Sequence, residues 1–232
     1  HAQTQVRIPS LFDQCLSFLV TNFEHVESLG AIGPEIRSQL AAELVAQHQL
    51  DGTALRALIH VGMESLELPD AAGVTAQDLV DTLELLLPAG LRYLHLQQCG
   101  RCFGKAAVDT LLSSVPQQSP KPSSPSSLVA LSIGGAYLLR DADAAKLLQT
   151  LPHLSSIDFQ ACPLLGVETF RALAKPRNVH WIELALTDLN LSQDAWEALL
   201  MPTATVSDET ATTTPSALSH LQRLKLCRDG GL

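Results

Sequence analysis

A short apolar pattern that recurs along the chain constrains the fold more than any other feature. Each copy has three apolar anchors with the spacing L-x-x-L-x-L, and a stretch with helical apolar spacing follows most copies. The copies are Met63-x-x-Leu66-x-Leu68, Leu91-x-x-Leu94-x-Leu96, Leu128-x-x-Leu131-x-Ile133, Leu154-x-x-Ile157-x-Phe159, Val179-x-x-Ile182-x-Leu184 and Leu221-x-x-Leu224-x-Leu226. The interval is 28 residues from Leu66 to Leu94, 26 from Leu131 to Ile157 and 25 from Ile157 to Ile182. A period of this size indicates a repeat architecture.

This pattern is the signature of leucine-rich repeats and predicts an α/β solenoid over residues 62–232. Alternate residues of each short parallel strand enter the core, and a helix covers the outer side. The predicted outer helices lie at 106–112, 142–151, 167–173 and 193–200. Since each repeat buries its apolar face only against its neighbours, stability is shared along the array.

Two intervals exceed the period and predict inserted loops. The interval from Leu94 to Leu131 is 37 residues, and that from Ile182 to Leu224 is 42. The first contains a Ser/Pro-rich segment and the second a Thr/Ser/Ala-rich one. Such compositions bury too little apolar surface to offset chain entropy. We therefore expect flexible loops near residues 113–127 and 202–217.

Residues 1–61 have helical apolar spacing and predict a small helical head ahead of the repeats. Ser10 can cap a first helix that runs to about Val26. Pro34 suits the first position of a second helix, whose apolar face would contain Ile36, Leu40, Leu44 and Val45. A third helix would begin at Asp51 or Thr53.

The first helix carries two apolar stripes. Leu11, Cys15 and Leu19 are each four residues apart and share one face. The second stripe comprises Phe12, Leu16, Phe23 and Val26. One stripe can pack on the protein's own core while the other receives a partner, although an ordinary core helix would show a similar pattern.

The segment Ser10-Leu11-x-x-x-Cys15-x-x-x-Leu19 resembles the BC-box, by which receptors of cullin-RING ubiquitin ligases hold elongin C. Residues 8–59 also resemble elongin A-type elongin-C-binding domains, and the segment V-E-S-L-G-A-I-G at 26–33 followed by repeats resembles the fungal nucleotide-excision-repair Rad-seven family. The resemblance implies that Leu11 is the buried anchor, Cys15 the close contact and Leu19 the third contact. It also implies elongin C and a cullin as partners, a SWI/SNF-type repair ATPase as companion, a ubiquitinated protein substrate, global-genome repair as context and the nucleus as location.

Charge and composition exclude several other classes of function. The chain has 232 residues, 24 acidic and 15 basic, and a formal net charge of -9. Nucleic-acid binders show a basic face, so we expect no direct contact with nucleic acid by this segment. No apolar run is long enough for a membrane span, and no signal peptide is visible. The chain starts without Met, so we expect it to be a piece of a longer protein.

No constellation in the sequence predicts catalysis, a metal or a cofactor. Cys99-x-x-Cys102 lacks the second pair that a zinc site requires, and Cys162 and Cys227 are isolated at repeat strand ends. We interpret all four as small core residues, and an odd total of 5 cysteines favours reduced thiols. The glycine pairs at 134–135 and 230–231 lack the Lys-Ser/Thr of a phosphate loop. We therefore predict a non-enzyme.

The inner, concave face of the array is the predicted partner surface. Its candidate residues alternate with the core anchors and are Tyr93, His95, Asp158, Gln160, Trp181 and Glu183. Tyr93 and Trp181 are the preferred hot-spot candidates, because large amphipathic rings dominate interface energies.

Two other functions remain open. Gly33-Pro34-Glu35-Ile36 faintly resembles the L-P-x-E-I opening of an F-box, which would bind a Skp-type adaptor, although the leading Leu is absent. A direct binder of damaged DNA would instead show strongly salt-dependent affinity for duplex DNA.

Overall fold

A computed structural model describes residues 10–30, 32–114, 127–175, 180–189, 192–200, 218 and 221–227. Three helices come first: α1 Leu11–Thr21, α2 Pro34–Ala46 and α3 Gly52–Leu58, with a 3-10 turn at Phe23–His25 between α1 and α2. Strands and helices then alternate as β1 Ser65–Leu68, α4 Ala76–Leu86, β2 Tyr93–Leu96, α5 Lys105–Ser113, β3 Ala130–Gly134, α6 Asp141–Thr150, β4 Ser156–Gln160, α7 Val167–Ala174, β5 Glu183–Thr187, α8 Gln193–Leu200 and β6 Arg223–Cys227.

The six strands form one parallel sheet in chain order, β1-β2-β3-β4-β5-β6. Their middle anchors pair in register as Leu66, Leu94, Leu131, Ile157, Leu184 and Leu224. From α4 to α8, each helix packs beside the next. This arrangement confirms the predicted α/β class with a helical head followed by a repeat solenoid.

The fifth repeat differs from the predicted alignment by two residues. Its inward anchors are Trp181, Leu184 and Leu186, whereas Ile182 is half-exposed. The indole of Trp181 is fully buried (0% exposed), and its Nε1 donates a hydrogen bond of 2.9 Å to the carbonyl of Leu173. The assignment of Trp181 to the concave face is therefore wrong. The Trp181 ring fills the first core position of the fifth repeat, which is equivalent to the position of Leu91 in the second repeat.

The helices of the head begin at the predicted signals, but α1 ends at Thr21 and not near Val26 as predicted. Pro34 lies in the first turn of α2, and Asp51 caps α3 by accepting a hydrogen bond of 2.8 Å from the amide of Ala54. The predicted inner face of α2 is partly wrong, because Ile36 is exposed while the neighbouring Arg37 is buried.

The head packs directly on the first repeat through α3 and α4. Arg56 on α3 forms an ion pair of 2.6 Å with Asp78 on α4. Gly52 approaches the same aspartate so closely that a Cβ there would overlap its carboxylate. The division of the chain at residue 61 stays a prediction, because one hydrophobic cluster contains residues of both parts. Of the two predicted loops, residues 115–126 of the first and all of 202–217 lie outside the described residues.

Candidate protein-docking surfaces

Helix α1 is fixed at its start by a capping box. The hydroxyl oxygen of Ser10 accepts a hydrogen bond of 3.1 Å from the amide of Asp13. The Asp13 carboxylate in turn accepts one of 2.9 Å from the amide of Ser10. Because these bonds satisfy two backbone donors at the helix start, the helix begins at Leu11 and holds that leucine in its first turn.

One face of α1 presents apolar side chains to solvent. Leu11 is 77% exposed, Phe18 is 68% exposed, and Cys15 is exposed as a free thiol. These three residues lie within one face of the helix at spacings of four and three, and we call them the α1 stripe. Phe18 was not among the predicted contact residues, although its position three residues after Cys15 is the signal that places it on this face.

The opposite face of α1 holds the helix to the head. Val20 is fully buried, and Leu16 and Leu19 pack partly against the core. Leu19 therefore contributes mainly to the protein's own packing, which departs from its assignment to the partner stripe. Phe12, which belongs to the second predicted stripe, is nearly half-exposed.

A shallow groove of about 360 Å³ runs beside the α1 stripe. Phe18 borders both the groove and the stripe. The groove's described lining residues are Asp13, Gln14, Ser17, Phe18, Thr21 and Asn22. The apolar stripe thus has a polar margin on one side, as protein interfaces have a polar rim around an apolar centre.

A buried arginine holds the turn between α1 and α2. The Arg37 guanidinium donates hydrogen bonds to the carbonyls of Gly30 (2.7 Å), Ile32 (2.8 Å) and Leu58 (2.7 Å). It therefore joins the 26–33 turn to the end of α3. Gly30 adopts a left-handed backbone conformation with φ 52°, which glycine reaches without steric cost. These contacts fix α2 against the turn that follows α1 and against the end of α3.

The concave face is an aligned ladder of side chains that alternate with the core anchors. Its central row, in strand order, is Glu67, His95, Ser132, Asp158, Ala185 and Lys225. The adjacent row is Ser65, Tyr93, Ala130, Ser156, Glu183 and Arg223. Gln160 follows Asp158 by two residues on the same strand and so lies on the same face. Except for Trp181, the candidate concave residues therefore belong to the inner face of the sheet, and their role in binding stays a prediction.

Asp158 occupies the middle of the central row. The Ser132 hydroxyl donates a hydrogen bond of 3.2 Å to its Oδ2. Burial raises the pKa of the Asp158 carboxyl, while the Ser132 bond and the charges of Lys225 and His95 oppose the increase. Desolvation of the carboxylate is therefore not fully compensated by its neighbours.

Several other side chains on or beside this face form exposed contacts. Glu183 and Arg223 form an ion pair of 3.6 Å on the adjacent row, and the Arg92 guanidinium lies 5.6 Å from the centre of the Tyr93 ring. The amide of Gln160 contacts the Asp188 carboxylate at 3.4 Å.

His95, Ser132 and Asp158 lie side by side, but not in the order that nucleophilic catalysis requires. In a serine triad the histidine lies between the serine and the aspartate and takes the serine proton. Here Ser132 occupies the middle strand, and its hydroxyl is directed at Asp158. The part of the chain that the structure describes also contains no group of three or more side chains able to hold a metal ion.

The cysteines at the strand ends are core residues, as predicted. Cys99, Cys102 and Cys162 are buried free thiols. Cys99 donates to the carbonyl of Gly134 at 3.2 Å, and Cys162 donates to that of Gln160 at 3.3 Å. Burial raises the pKa of Cys102 and of Cys162 to about 11, and the pKa of Cys99 is raised as well. The neutral thiol is the stable form, which is a poor nucleophile and metal ligand. The side chain of Cys227 lies outside the described residues.

The fold and the two surfaces define the class of protein: a leucine-rich-repeat-type solenoid with a helical head. No protein-family model matches the chain, and no curated protein matches its sequence. Among solved structures, a chain in the crystal structure of the Rad7 and Elc1 complex in yeast has a similar fold, with a TM-score of 0.58 and 13% sequence identity. The match covers 95% of the present chain and 60% of the matched chain. The likeness shows a Rad7-like fold.

None of the helices in the described residues combines the length and the hydropathy needed to cross a bilayer.

Proposed function

We propose that this chain is a non-catalytic adaptor whose helical head binds an elongin C. The observation that carries the proposal is the α1 stripe. It consists of apolar side chains on a capped, buttressed helix, and no other described part of the chain covers them. Exposed apolar patches on rigid elements are typical of protein–protein interaction sites.

The fold supports the same partner. The yeast chain of similar fold comes from a complex of Rad7 and Elc1. Elc1 is an elongin C, so the likeness favours an elongin C as the partner of the head. In the proposed complex Leu11 enters a pocket of the adaptor, Cys15 allows close approach of the two backbones, and Phe18 supplies the largest apolar contact. Leu19 packs partly against the protein's own core and holds the helix in place.

Through elongin C the head would recruit a cullin and a RING ligase, while the repeats hold a protein partner or substrate. From the family resemblance, we further propose action in global-genome nucleotide excision repair, in the nucleus, beside a SWI/SNF-type ATPase. The net charge of -9 favours recruitment to damaged DNA through partners, since direct binding depends on basic contacts with phosphates.

Calorimetric titration of purified elongin C into the chain tests the head. We expect binding by the wild type, and a loss of about 2 kcal/mol or more in Leu11→Asp, as for an anchor residue at an interface. Val61→Asp is the matched control, because Val61 is also highly exposed (69%) but lies outside α1. It should bind like the wild type.

A Skp-type adaptor, titrated in parallel, tests the F-box alternative and should not bind. If folded wild-type chain fails to bind elongin C, the adaptor function is wrong. If Leu11→Asp unfolds the chain, as judged by circular dichroism, Leu11 is a core residue and the stripe is not a docking surface.

A further inference from the structure

We infer that the centre of the concave face binds an extended segment of a partner protein through an arginine or lysine side chain, which pairs with the Asp158 carboxylate. The inference rests on the proposed use of the repeats as a partner surface and adds the chemistry of the bound segment. It does not depend on the identity of the adaptor at the head.

The position of Asp158 is the first argument. It lies on the fourth of six strands, near the middle of the sheet, in register with Ser132 on one side and Ala185 on the other. Both neighbours have short side chains, so neither reaches over the carboxylate. A segment that lies across the inner face would therefore meet Asp158 near its centre, where interface hot spots cluster.

The partners of Asp158 are the second argument. The described structure gives its carboxylate one hydrogen bond, at 3.2 Å from the Ser132 hydroxyl, which reaches Oδ2 only. None of the ion pairs within the described residues involves Asp158, although Glu183 on the neighbouring strand pairs with Arg223. The charges of Lys225 and His95 also act on this half-buried carboxylate but do not offset its desolvation, which costs free energy in the unbound protein. An arginine can supply two parallel donors to such a group.

Charge complementarity selects a cation over an anion. Glu67 and Asp158 belong to the central row and Glu183 to the adjacent row, whereas the described cations of these rows, Arg223 and Lys225, lie together on the last strand. Arg223 is already paired with Glu183, and Lys225 acts on Asp158 by its charge without forming an ion pair with it among the described residues. The basic end would favour an acidic residue further along the same bound segment, and the centre would favour the basic one.

The probe is an acetylated, amidated heptapeptide of glycine and serine with one arginine at its centre. The neutral control peptide carries citrulline, which keeps the shape of arginine without its charge. The chain, labelled with nitrogen-15, is titrated with each peptide and followed by amide chemical shifts. We expect saturable shifts at Ser132, Asp158 and Ala185, with affinity for the arginine peptide about tenfold or more above that for the citrulline peptide.

Asp158→Asn should lower the affinity for the arginine peptide to that of the citrulline peptide, because asparagine keeps an acceptor for Ser132 but loses the charge. Glu67→Gln is the matched control, since it removes one negative charge from the same row three strands away. It should bind the arginine peptide like the wild type.

Equal binding of both peptides, unchanged binding by Asp158→Asn, or the absence of shifts at these three residues would overturn the inference. Binding of a glutamate-centred peptide at the same amides would overturn it too. Leu11→Asp should give the wild-type peptide shifts, so that failure at the concave face and failure at the head are distinguished.

Discussion

The helical head and the repeats differ in how much of their apolar surface they bury. Helix α5 of the repeats buries Ala107, Val108, Leu111 and Leu112 within nine residues, because a similar unit lies on each side of it. Helix α1 of the head has 11 residues and fully buries only Val20. Burial in the repeats therefore serves folding, whereas the apolar surface left on α1 is available to a partner.

Removing the largest core side chain of the repeats should have the greatest effect on stability. Trp181→Ala deletes a fully buried indole and its hydrogen bond to Leu173, so we expect a loss of about 3–5 kcal/mol. Urea denaturation followed by far-ultraviolet circular dichroism measures it. Tyr137→Ala, which removes an exposed ring, should cost about 0.5 kcal/mol or less. Equal losses in the two variants would contradict the corrected repeat alignment.

The fifth repeat shows how far the repeat pattern could be predicted. The period, the strands and the outer helices followed from apolar spacing alone. The alignment of this repeat did not, because Leu184 fits the pattern both as its third anchor and as its second. A slip of two residues preserves the alternation of the strand. Only the packing of the indole, a large group that fills the core, selects between the two alignments.

In the head, the polar side chain of Arg37 occupies a core position of α2. Its removal should act locally. Arg37→Met deletes the donors to the carbonyls of Gly30, Ile32 and Leu58, which should cost about 2–3 kcal/mol. Hydrogen exchange should speed up at the amides of Ile32 and Ile59, while amides of β3 and β4 keep their protection. Arg101→Met, at an exposed position, is the matched control. A uniform loss of protection along the chain would show that head and repeats unfold as one unit.

Arg37 also explains why the head was less predictable than the repeats. Apolar spacing placed Ile36 on the inner face of α2, yet the arginine occupies it. No hydrophobic pattern can indicate that a charged side chain is buried, because its burial depends on carbonyls contributed by two other segments. The spacing places Phe18 on the same face as Cys15, but the exposure of that face depends on which side of α1 meets the rest of the head.

Neighbouring residues of α1 should separate binding from folding. Phe18→Ala should weaken elongin C binding by about 1–2 kcal/mol and leave the stability of the free chain unchanged, because the ring is 68% exposed. Leu19→Ala should lower the stability of the free chain by about 1–2 kcal/mol, because Leu19 packs partly on the core. Calorimetry and urea denaturation of both variants measure the two quantities. The opposite assignment would restore Leu19 as the partner contact.

The smallest expected effect tests whether repeats are joined by more than apolar contact. Asp141, at the start of α6, accepts hydrogen bonds from the amides of Gly166 (2.8 Å) and Thr169 (2.9 Å) at the start of α7. Burial would raise the pKa of Asp141, but the hydrogen bonds outweigh it and hold the pKa below its usual 3.8. The carboxylate therefore stabilises the fold fully above about pH 4, and this contribution is lost as pH falls through the lowered pKa of the folded state.

Asp141→Ala should accordingly cost about 1 kcal/mol at neutral pH, the value of a typical helix cap, and the difference from the wild type should shrink below about pH 4. Asp143→Ala is the matched control, because it removes the same charge from the same turn of α6 without these bonds to α7. Urea denaturation of both variants across this pH range measures the effect. An equal, pH-independent loss in the two variants would mean that the bonds between α6 and α7 add nothing to apolar packing. The junction of α6 and α7 would then have no polar connection that contributes to stability. The head would differ, because the hydrogen bonds of Arg37 connect its segments.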